Sequence, residues 1–240
     1  MLTQIDKKTM QCYLSPFHPR SFERRNSRLT TSQGRALIEY WPQFGLHIEN
    51  GKINLKTIFG RYAPCLLEIG FGSGQSLLAL ADAHRDKDFI GIETYRPGIG
   101  ALLMGIRSKG LTNIRLYEYD AVDVLRYCIP VNSIDHVQLF FPDPWPKRRH
   151  HVRRLIQESF VRHVIAVLKS RGTFHTATDW QDYAVHMLRI LAQQKEWYNV
   201  AFEKQYAERS LYRPVITKFE ARAMREGRSI WELQFAKRAF

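Results

Sequence analysis

The sequence CLLEIGFGSG, residues 65–74, decides the fold. Its first five residues are mostly apolar and predict a short buried strand, and glycines follow at positions 70, 72 and 74. Glycine allows the backbone to turn tightly and to come close to a ligand. The spacing is not the G-x-G-x-x-G of a dinucleotide-binding loop, because Gln75 stands at the last glycine position. The stretch predicts a strand, a ligand-facing loop and a helix, although a plain strand-to-helix turn also explains the loop alone.

Downstream of this stretch, short apolar runs alternate with helical patterns. Such alternation is typical of βαβ units and predicts an α/β fold with a doubly wound, mostly parallel sheet and a late antiparallel strand at 230–237. A sheet of this kind binds ligands at the carboxyl ends of its strands. Residues 170–172, Ser-Arg-Gly, predict a helix stop before the fifth strand. The predicted strands are 65–69, 89–92, 114–117, 136–141 and 173–177, and the predicted helices are 77–83, 97–109, 121–127, 155–168 and 180–191.

The N-terminal quarter of the chain differs from the rest. Residues 1–60 are polar and basic with weak periodicity, and we predict that they form an extension packed on or reaching from a main domain at 61–240. The whole chain has 240 residues, which is enough for a domain with a substantial core.

Positive charge is concentrated in two short segments. The formal net charge is +13, and residues 20–35 and 147–154 hold +4 and +5 of it. Charge spread for solubility would not cluster in this way, so the pattern favours a surface that binds a polyanion, with two solvated basic loops as the alternative. Neither segment has the broad apolar face of a membrane-binding helix.

Cysteine use and the chain start bear on the cellular compartment. Three scattered cysteines, with no Cys-x-x-Cys, predict neither a disulfide framework nor a metal site. The first ten residues, MLTQIDKKTM, lack the apolar core of a signal peptide, and no apolar run is long enough to span a bilayer. We expect a cytoplasmic protein without bound metal.

Three acids stand at the ends of the first three predicted strands of this basic protein: Glu68, Glu93 and Asp120. Glu93 suits the two hydroxyls of a ribose, and Asp120 suits an adenine amino group or an adjacent donor. Taken singly, each acid is explained equally well by helix capping or solvation. Together they would repel the pyrophosphate of a nicotinamide cofactor but suit the ammonium, sulfonium and ribose of S-adenosylmethionine. This constellation resembles class I methyltransferases.

The fourth predicted strand runs into FPDPWPKRRHHVRR, residues 141–154. Prolines on both sides of Asp143 restrict the backbone, so we expect its carboxylate to be held rigidly. Trp145 offers a flat wall on which a base stacks, with a core aromatic as the alternative. An acid and an aromatic next to a polyanion-binding segment predict a nucleobase as the methyl acceptor.

Six stretches together resemble the bacterial tRNA (guanine-N7-)-methyltransferase family. The resemblance runs from about Arg20 to the end of the chain, and its PDPW and TKFE elements are far more specific than the glycine loop. It implies a Rossmann-like class I methyltransferase fold, S-adenosyl-L-methionine as cofactor, tRNA as partner, and methylation of a guanine in the tRNA variable loop. The stretches are RRNSRLTTSQGRAL (24–37), LEIGFGSGQSL (67–77), FIGIETYRPGIGALL (89–103), FFPDPWPKRRHHVRR (140–154), ATDWQDYAVHML (177–188) and TKFEARAMREGRSIW (217–231).

Residue by residue, the resemblance implies Asp143 as the catalytic residue. Guanine N7 has a lone pair and no proton to lose, so a carboxylate there would stabilise developing positive charge and not remove a proton. The implied cofactor contacts are Glu68, Gly70, Gly72, Gly74, Glu93, Asp120 and Asp143. The implied guanosine contacts are Lys147, Asp179, Thr217, Lys218, Phe219 and Glu220. The implied RNA contacts are Arg24, Arg25, Arg28, Arg149, His150, His151, Arg153 and Arg154.

Two other functions stay open on the sequence. One is an amino-group methyltransferase, which typically has two successive prolines after the polar residue, where this chain has Asp143-Pro144-Trp145. The other is a non-catalytic RNA-binding protein on the same fold, which the intact acids disfavour. Val152, Pro146 and the extra Ile216 depart from the family pattern, and the oligomeric state, monomer or homodimer, is left open.

Overall fold

The structure, a computed structural model, describes residues 28–210 and 212–239. Its strands form one mixed sheet with helices on both faces. The strands are β1 (Gly45–Leu46), β2 (Cys65–Ile69), β3 (Asp88–Ile92), β4 (Ile114–Tyr117), β5 (Ile134–Phe140), β6 (Leu168–Thr178), β7 (Trp197–Asn199) and β8 (Trp231–Lys237). The α-helices are α1 (Thr31–Phe44), α2 (Leu55–Phe59), α3 (Gln75–Ala83), α4 (Arg96–Ser108), α5 (Ala121–Tyr127), α6 (Glu158–Val167), α7 (Gln181–Ala192) and α8 (Lys218–Arg225). Short 3-10 helices lie at Ile48–Asn50, Arg148–Arg153 and Phe202–Lys204.

The sheet order is β1-β4-β3-β2-β5-β6-β8-β7. Strands β1 to β6 pair in parallel, and β8 runs antiparallel to both β6 and β7. The predicted doubly wound, mostly parallel sheet with a late antiparallel strand is confirmed. The chain builds outward from β2 to β4 and then returns to β5 on the other side of β2, so the topological switch point lies between β2 and β5.

Side chains alternate between two cores because successive residues of a strand point to opposite faces. In β2, Leu67 and Ile69 belong to the core under α5, α6 and α7, whereas Leu66 belongs to the core under α1, α3 and α4. No helix in the described ranges is long and apolar enough to cross a membrane.

Residues 28–60 pack on the rest of the structure through α1 and β1. A capping box formed by Thr30 and Gln33 starts α1, and this helix lies directly against α4, where a β-carbon on Gly100 would be 2.8 Å from the Gln33 β-carbon. β1 then adds one strand to the sheet beside β4. Residues 1–27, which include Arg24 and Arg25, lie outside the described residues.

The predicted helix stop at residues 170–172 is wrong. The helix ends at Val167, and Leu168 already pairs with Ile134 as the first residue of β6. The register then shifts so that His136 pairs with Thr173. Residues 170–172 therefore form a bulge inside a strand. The reason is that pairing with β5 begins at Leu168, before the Ser-Arg-Gly sequence that predicted a turn.

Candidate functional site

The glycine loop after β2 lies at the carboxyl edge of the sheet. Gly70, Gly72 and Gly74 have φ angles of 70°, 58° and 74°, the left-handed region that suits glycine. A β-carbon at Gly74 would lie 2.7 Å from the β-carbon of Leu102, and one at Gly98 would lie 1.8 Å from the Gly72 carbonyl oxygen. Helix α4 therefore packs straight onto the loop, and its backbone is fixed in place.

Glu93, the residue after β3, ties this loop to the neighbouring strand. One carboxylate oxygen accepts a hydrogen bond from the Gly72 backbone N–H at 2.8 Å. The other accepts from the N–H groups of Thr94 at 2.6 Å and Tyr95 at 3.0 Å. The acid thus stands beside the loop, where a ribose contact was predicted, and it also organises the loop itself.

Glu68 is buried at the end of β2 and accepts a hydrogen bond from Gln138 Nε2 at 2.8 Å. Burial raises the pKa of this carboxyl to about 7; the Gln138 hydrogen bond opposes that rise, and the Glu93 charge adds to it. Sequence reasoning missed Gln138, whose only signal was a polar residue between the apolar Val137 and Leu139 of β5. A cation placed next to Glu68 would favour its ionised form.

Asp120 begins α5 as its N-cap, and its side chain accepts from the Val122 N–H at 2.8 Å. The capping role weighed for each acid therefore holds for this one. Glu68, Glu93 and Asp120 lie at or just beyond the carboxyl ends of the adjacent strands β2, β3 and β4, beside the glycine loop. This set of acceptors fits a ligand with an ammonium and several hydroxyl groups, as S-adenosylmethionine has.

The loop after β5 carries Asp143 in a constrained turn. Phe141 and Trp145, on either side of it, have φ angles of 51° and 45°, which non-glycine residues seldom adopt. The Phe141 N–H donates to the Ala177 carbonyl at 2.8 Å, so the turn starts from a fixed point on β6. Asp143 is half-buried, close enough to Tyr183 that, after burial, its charge helps to raise the pKa of that phenol. The backbone on both sides of this carboxylate is therefore constrained.

Trp145 is not the open stacking wall that the sequence suggested. Its side chain is buried, with 9% of the residue exposed, because two residues cover the ring. The His150 ring lies 5.8 Å away, and the Arg153 guanidinium carbon stands 4.9 Å from the ring centroid. The alternative weighed from sequence, a packed aromatic, is what the structure contains.

Arg154, which the sequence predicts as an RNA contact, is only 2% exposed in this structure. Its Nε donates to the Pro144 carbonyl at 3.0 Å, and its guanidinium also hydrogen-bonds to the Asp182 carboxylate. The same group lies 4.8 Å from the centre of the Tyr183 ring. Arg154 therefore ties the Asp143 loop to α7. Sequence reasoning missed Asp182, which had no signal beyond being an acid in the first turn of a helix.

The other cations of the basic segment are accessible. Lys147, Arg149 and Arg153 are exposed, and His150 and His151 are half-buried. Arg28, at the start of the described chain, is exposed as well. These residues match the predicted polyanion-binding surface in their position and exposure.

The predicted guanosine contacts lie on two elements. Asp179, just after β6, forms an ion pair with Arg228 at 2.8 Å. Thr217 caps α8 and accepts from the Glu220 N–H at 3.2 Å. Lys218 and Phe219 are exposed in the first turn of that helix, and the Phe219 ring lies nearly parallel to that of Phe141, with centroids 6.4 Å apart.

Glu220, which the sequence also predicts as a guanosine contact, is buried in this structure. It is 1% exposed and points into the protein, since the amphipathic helix α8 turns this side toward the sheet. Its carboxylate accepts from Arg209 Nε at 2.9 Å and pairs with Arg213 at 2.6 Å. Neither arginine was identified from the sequence. Among the described residues, no group of three or more His, Cys, Asp or Glu side chains is placed to hold a metal ion.

Comparison with known proteins agrees with this arrangement. Residues 62–233 match a family model described as "Putative methyltransferase". The chain is 47% identical over 225 residues to the tRNA (guanine-N(7)-)-methyltransferase of Hydrogenovibrio crunogenus, covering 92% of this chain and 93% of that protein. It is 49% identical over 220 residues to the protein of the same name from Alcanivorax borkumensis, covering 92% of both.

Solved structures share the fold at low sequence identity. The 16S rRNA methyltransferase KamB superposes with a TM-score of 0.54 at 14% identity, covering 92% of this chain and 99% of that one. An rRNA methylase from Streptococcus thermophilus superposes with a TM-score of 0.50 at 9% identity, covering 74% of this chain and 88% of that one. The structural likeness establishes a class I methyltransferase fold, and the sequence identity to the two bacterial proteins goes further: the chain belongs to the tRNA (guanine-N(7)-)-methyltransferase family.

Proposed function

We propose that this protein transfers the methyl group of S-adenosyl-L-methionine to N7 of a guanine in the variable loop of tRNA. The observation that carries the proposal is the meeting of two features at one sheet edge. A fixed glycine loop lined by acids lies after β2, and the constrained Asp143 turn, followed by exposed cations, lies after the adjacent β5. Family membership supplies the nucleobase and the atom that is methylated.

The cofactor-binding residues in this proposal are Glu68, Glu93, Asp120 and the backbone of the glycine loop. In this arrangement, Glu68 accepts hydrogen bonds from the ammonium group of the cofactor. Glu93 accepts from its ribose hydroxyls, and Asp120 accepts from its adenine amino group. When bound, S-adenosylmethionine supplies an electrophilic methyl group on a sulfonium. Because α4 packs directly on the loop, the protein holds these acceptors in place without reorganising on binding.

On the acceptor side, the protein has to place guanine and exclude water, and it needs no strong base. Guanine N7 attacks with its own lone pair, so the guanine gains positive charge as the bond forms. A carboxylate held in a fixed turn stabilises that charge more in the transition state than in the ground state. Asp143 takes this role, while Lys147, Asp179, Thr217, Lys218 and Phe219 surround the nucleoside.

The rest of the tRNA binds through its phosphates. Arg149, Arg153, His150 and His151 form a cationic strip next to the Asp143 turn, and Arg28 adds charge from the extension that we propose for residues 1–60. Such contacts position an RNA without reading its bases. Since the substrate is tRNA, we infer that the protein works in the cytoplasm.

The direct test is transfer of radiolabelled methyl groups to unmodified tRNA, followed by nucleoside analysis and mapping of the labelled position. We expect 7-methylguanosine in the variable loop. Label in an N-methylated base would support the amino-group methyltransferase instead. Binding of tRNA with no transfer at all would support the non-catalytic RNA-binding protein.

A further inference from the structure

A buried polar layer covers the sheet where β5, β6 and β8 lie side by side. Their side chains on this face include His136, Gln138, His175 and Glu232, all buried, where an apolar core would be usual. The segment before α8 crosses this layer and places Arg213 on it with 1% of the residue exposed. A fully buried arginine requires partners, because an unpaired charge in the interior is very costly.

Arg213 has two carboxylate partners on two different elements. Its guanidinium hydrogen-bonds to Glu232 of β8 and forms an ion pair with Glu220 of α8 at 2.6 Å. Glu232 also accepts from the Ser210 N–H at 3.2 Å and lies 2.7 Å from His175 Nε2. The arginine thus ties α8 to the sheet.

The guanidinium of Arg213 also contacts the end of β5, which leads into the Asp143 turn. Its carbon lies 5.4 Å from the centre of the Phe140 ring and 5.2 Å from that of Phe141. Phe141 in turn lies against Phe219 in the first turn of α8. Arg213 therefore stands between the two elements that hold the acceptor: the Asp143 turn after β5, and the first turn of α8 with Thr217 and Lys218.

We propose that Arg213 is a positioning residue for methyl transfer, an inference that rests on the proposed function. It sets the distance between the first turn of α8 and the Asp143 turn, and so places the guanine against the methyl group. Arginine suits this role because its planar group reaches two carboxylates and stacks on two rings at once, whereas lysine offers a single point charge.

The test compares Arg213→Lys with the wild type. The variant keeps a positive charge for Glu220 and Glu232 but loses the planar guanidinium, which reaches both carboxylates and lies against the Phe140 and Phe141 rings. We expect single-turnover methylation at saturating tRNA to fall by about 10²-fold, the scale of a small misplacement of reacting groups. Cofactor affinity by calorimetry, the number of cofactor sites per chain and the melting temperature should stay close to those of the wild type.

Arg209→Lys is the matched control. Arg209 also pairs with Glu220, but its side chain is 43% exposed, and none of its observed contacts involves Phe140, Phe141 or Glu232. We expect its turnover to stay within about twofold of the wild type, because lysine at this half-exposed position keeps a positive charge beside Glu220. Normal turnover in Arg213→Lys would overturn the proposal. So would a loss matched by an equal loss of cofactor sites, since that is the mark of a merely structural residue.

Glu220→Gln keeps the proposal testable if Arg213→Lys does not fold. It preserves the shape of the side chain and leaves the Arg213–Glu232 pair in place, so α8 alone is loosened. We expect slower single turnover with unchanged cofactor affinity, and normal turnover would count against the positioning role. A wild-type protein that fails to methylate tRNA would instead remove the proposed function.

Discussion

The two halves of the sheet's carboxyl edge are held together by different kinds of contact. On the β2–β3–β4 side, Glu93 and Asp120 accept hydrogen bonds mainly from backbone N–H groups, such as those of Thr94 and Val122. On the β5–β6–β8 side, ion pairs join residues far apart: Arg154 with Asp182, 28 positions away, and Asp179 with Arg228, 49 positions away. The half proposed for the cofactor rests mainly on hydrogen bonds from backbone N–H groups to carboxylates, whereas the half proposed for the acceptor rests on ion pairs between side chains of distant segments.

This difference has a physical consequence for how each half responds to change. A carboxylate that accepts from its own backbone keeps its partners whenever the strand and its turn form. An ion pair between two elements exists only when both are in place, and loss of Asp182 would leave Arg154, whose side chain is 1% exposed, charged and poorly solvated. Substitutions on the β2–β3–β4 side should therefore act on cofactor affinity, and those on the β5–β6–β8 side on turnover.

The largest effect is expected at Asp143. Asp143→Ala should bind cofactor and tRNA almost normally but lower single turnover at saturating tRNA by roughly 10²–10³-fold, as when one preorganised electrostatic group is removed. Asp143→Asn is the matched variant, because it keeps shape and one acceptor without the charge. If Asp143→Asn is as slow as Asp143→Ala, the loss of rate comes from the missing charge. If Asp143→Asn turns over at nearly the wild-type rate, Asp143 acts by orienting the guanine. Normal turnover in Asp143→Ala would show that the residue is not catalytic.

The next effect tests the cofactor half. Glu93→Ala should weaken S-adenosylmethionine binding by about 1.5–3 kcal/mol, the scale of hydrogen bonds to a charged group. Glu93→Gln separates the two roles of the residue, because its amide oxygen still accepts one backbone N–H of the glycine loop but carries no charge. Calorimetry in the absence of RNA measures both variants. Unchanged affinity in Glu93→Ala would remove this residue from the site.

Glu68 makes cofactor binding depend on pH. Its carboxyl has a pKa of about 7 in the free protein, mainly because of burial, so half of it is protonated near neutrality. A bound ammonium favours the ionised form, so affinity should rise about tenfold from pH 6 to pH 8 and level off above that. Calorimetry across this range measures it, with Glu68→Gln as the pH-independent control. A wild-type affinity that is flat over the range would contradict the assignment.

The same carboxyl links stability to pH. In the unfolded chain it loses its proton near its ordinary value of 4.5, whereas in the folded protein it keeps the proton up to about pH 7. Between these values the folded state binds more protons, so the contribution of Glu68 to the free energy of unfolding falls as pH rises. Denaturant unfolding of the wild type and Glu68→Gln should therefore diverge from pH 5 to pH 7. Parallel curves would indicate an ordinary pKa.

The smallest expected effect is on tRNA binding, and it should differ between the adjacent residues Arg153 and Arg154. Arg153→Ala should weaken binding to all tRNAs alike and reduce the slope of log affinity against log salt by about 1, as when one phosphate contact is lost. Arg154→Ala should leave that slope unchanged, because the buried guanidinium cannot meet a phosphate, and should lower turnover by releasing the Asp143 turn. An equal loss of slope in both variants would contradict the burial of Arg154.

Several features of the site follow from residue pattern alone. The glycine turn after β2 and the acids at the ends of β2, β3 and β4 were all predictable, because strand periodicity and turn chemistry are local properties. The rigidity of the Asp143 turn followed equally from its prolines. What pattern alone did not reveal is which charges point inward. Nothing in RRHHVRR distinguishes the exposed Arg153 from the buried Arg154.

The sequence by itself determined the parallel sheet, the glycine loop, the acids at the strand ends and the family, since each depends on residues close together in the chain. Only the tertiary structure decided that Arg154 holds the Asp143 turn, that Trp145 is covered, and that Glu220 faces Arg213 inside the protein. The reason is that a charged side chain has no intrinsic preference between solvent and a buried partner. Its place depends on whether a distant segment brings the opposite charge within reach, and that is settled only when the whole sheet and its helices come together.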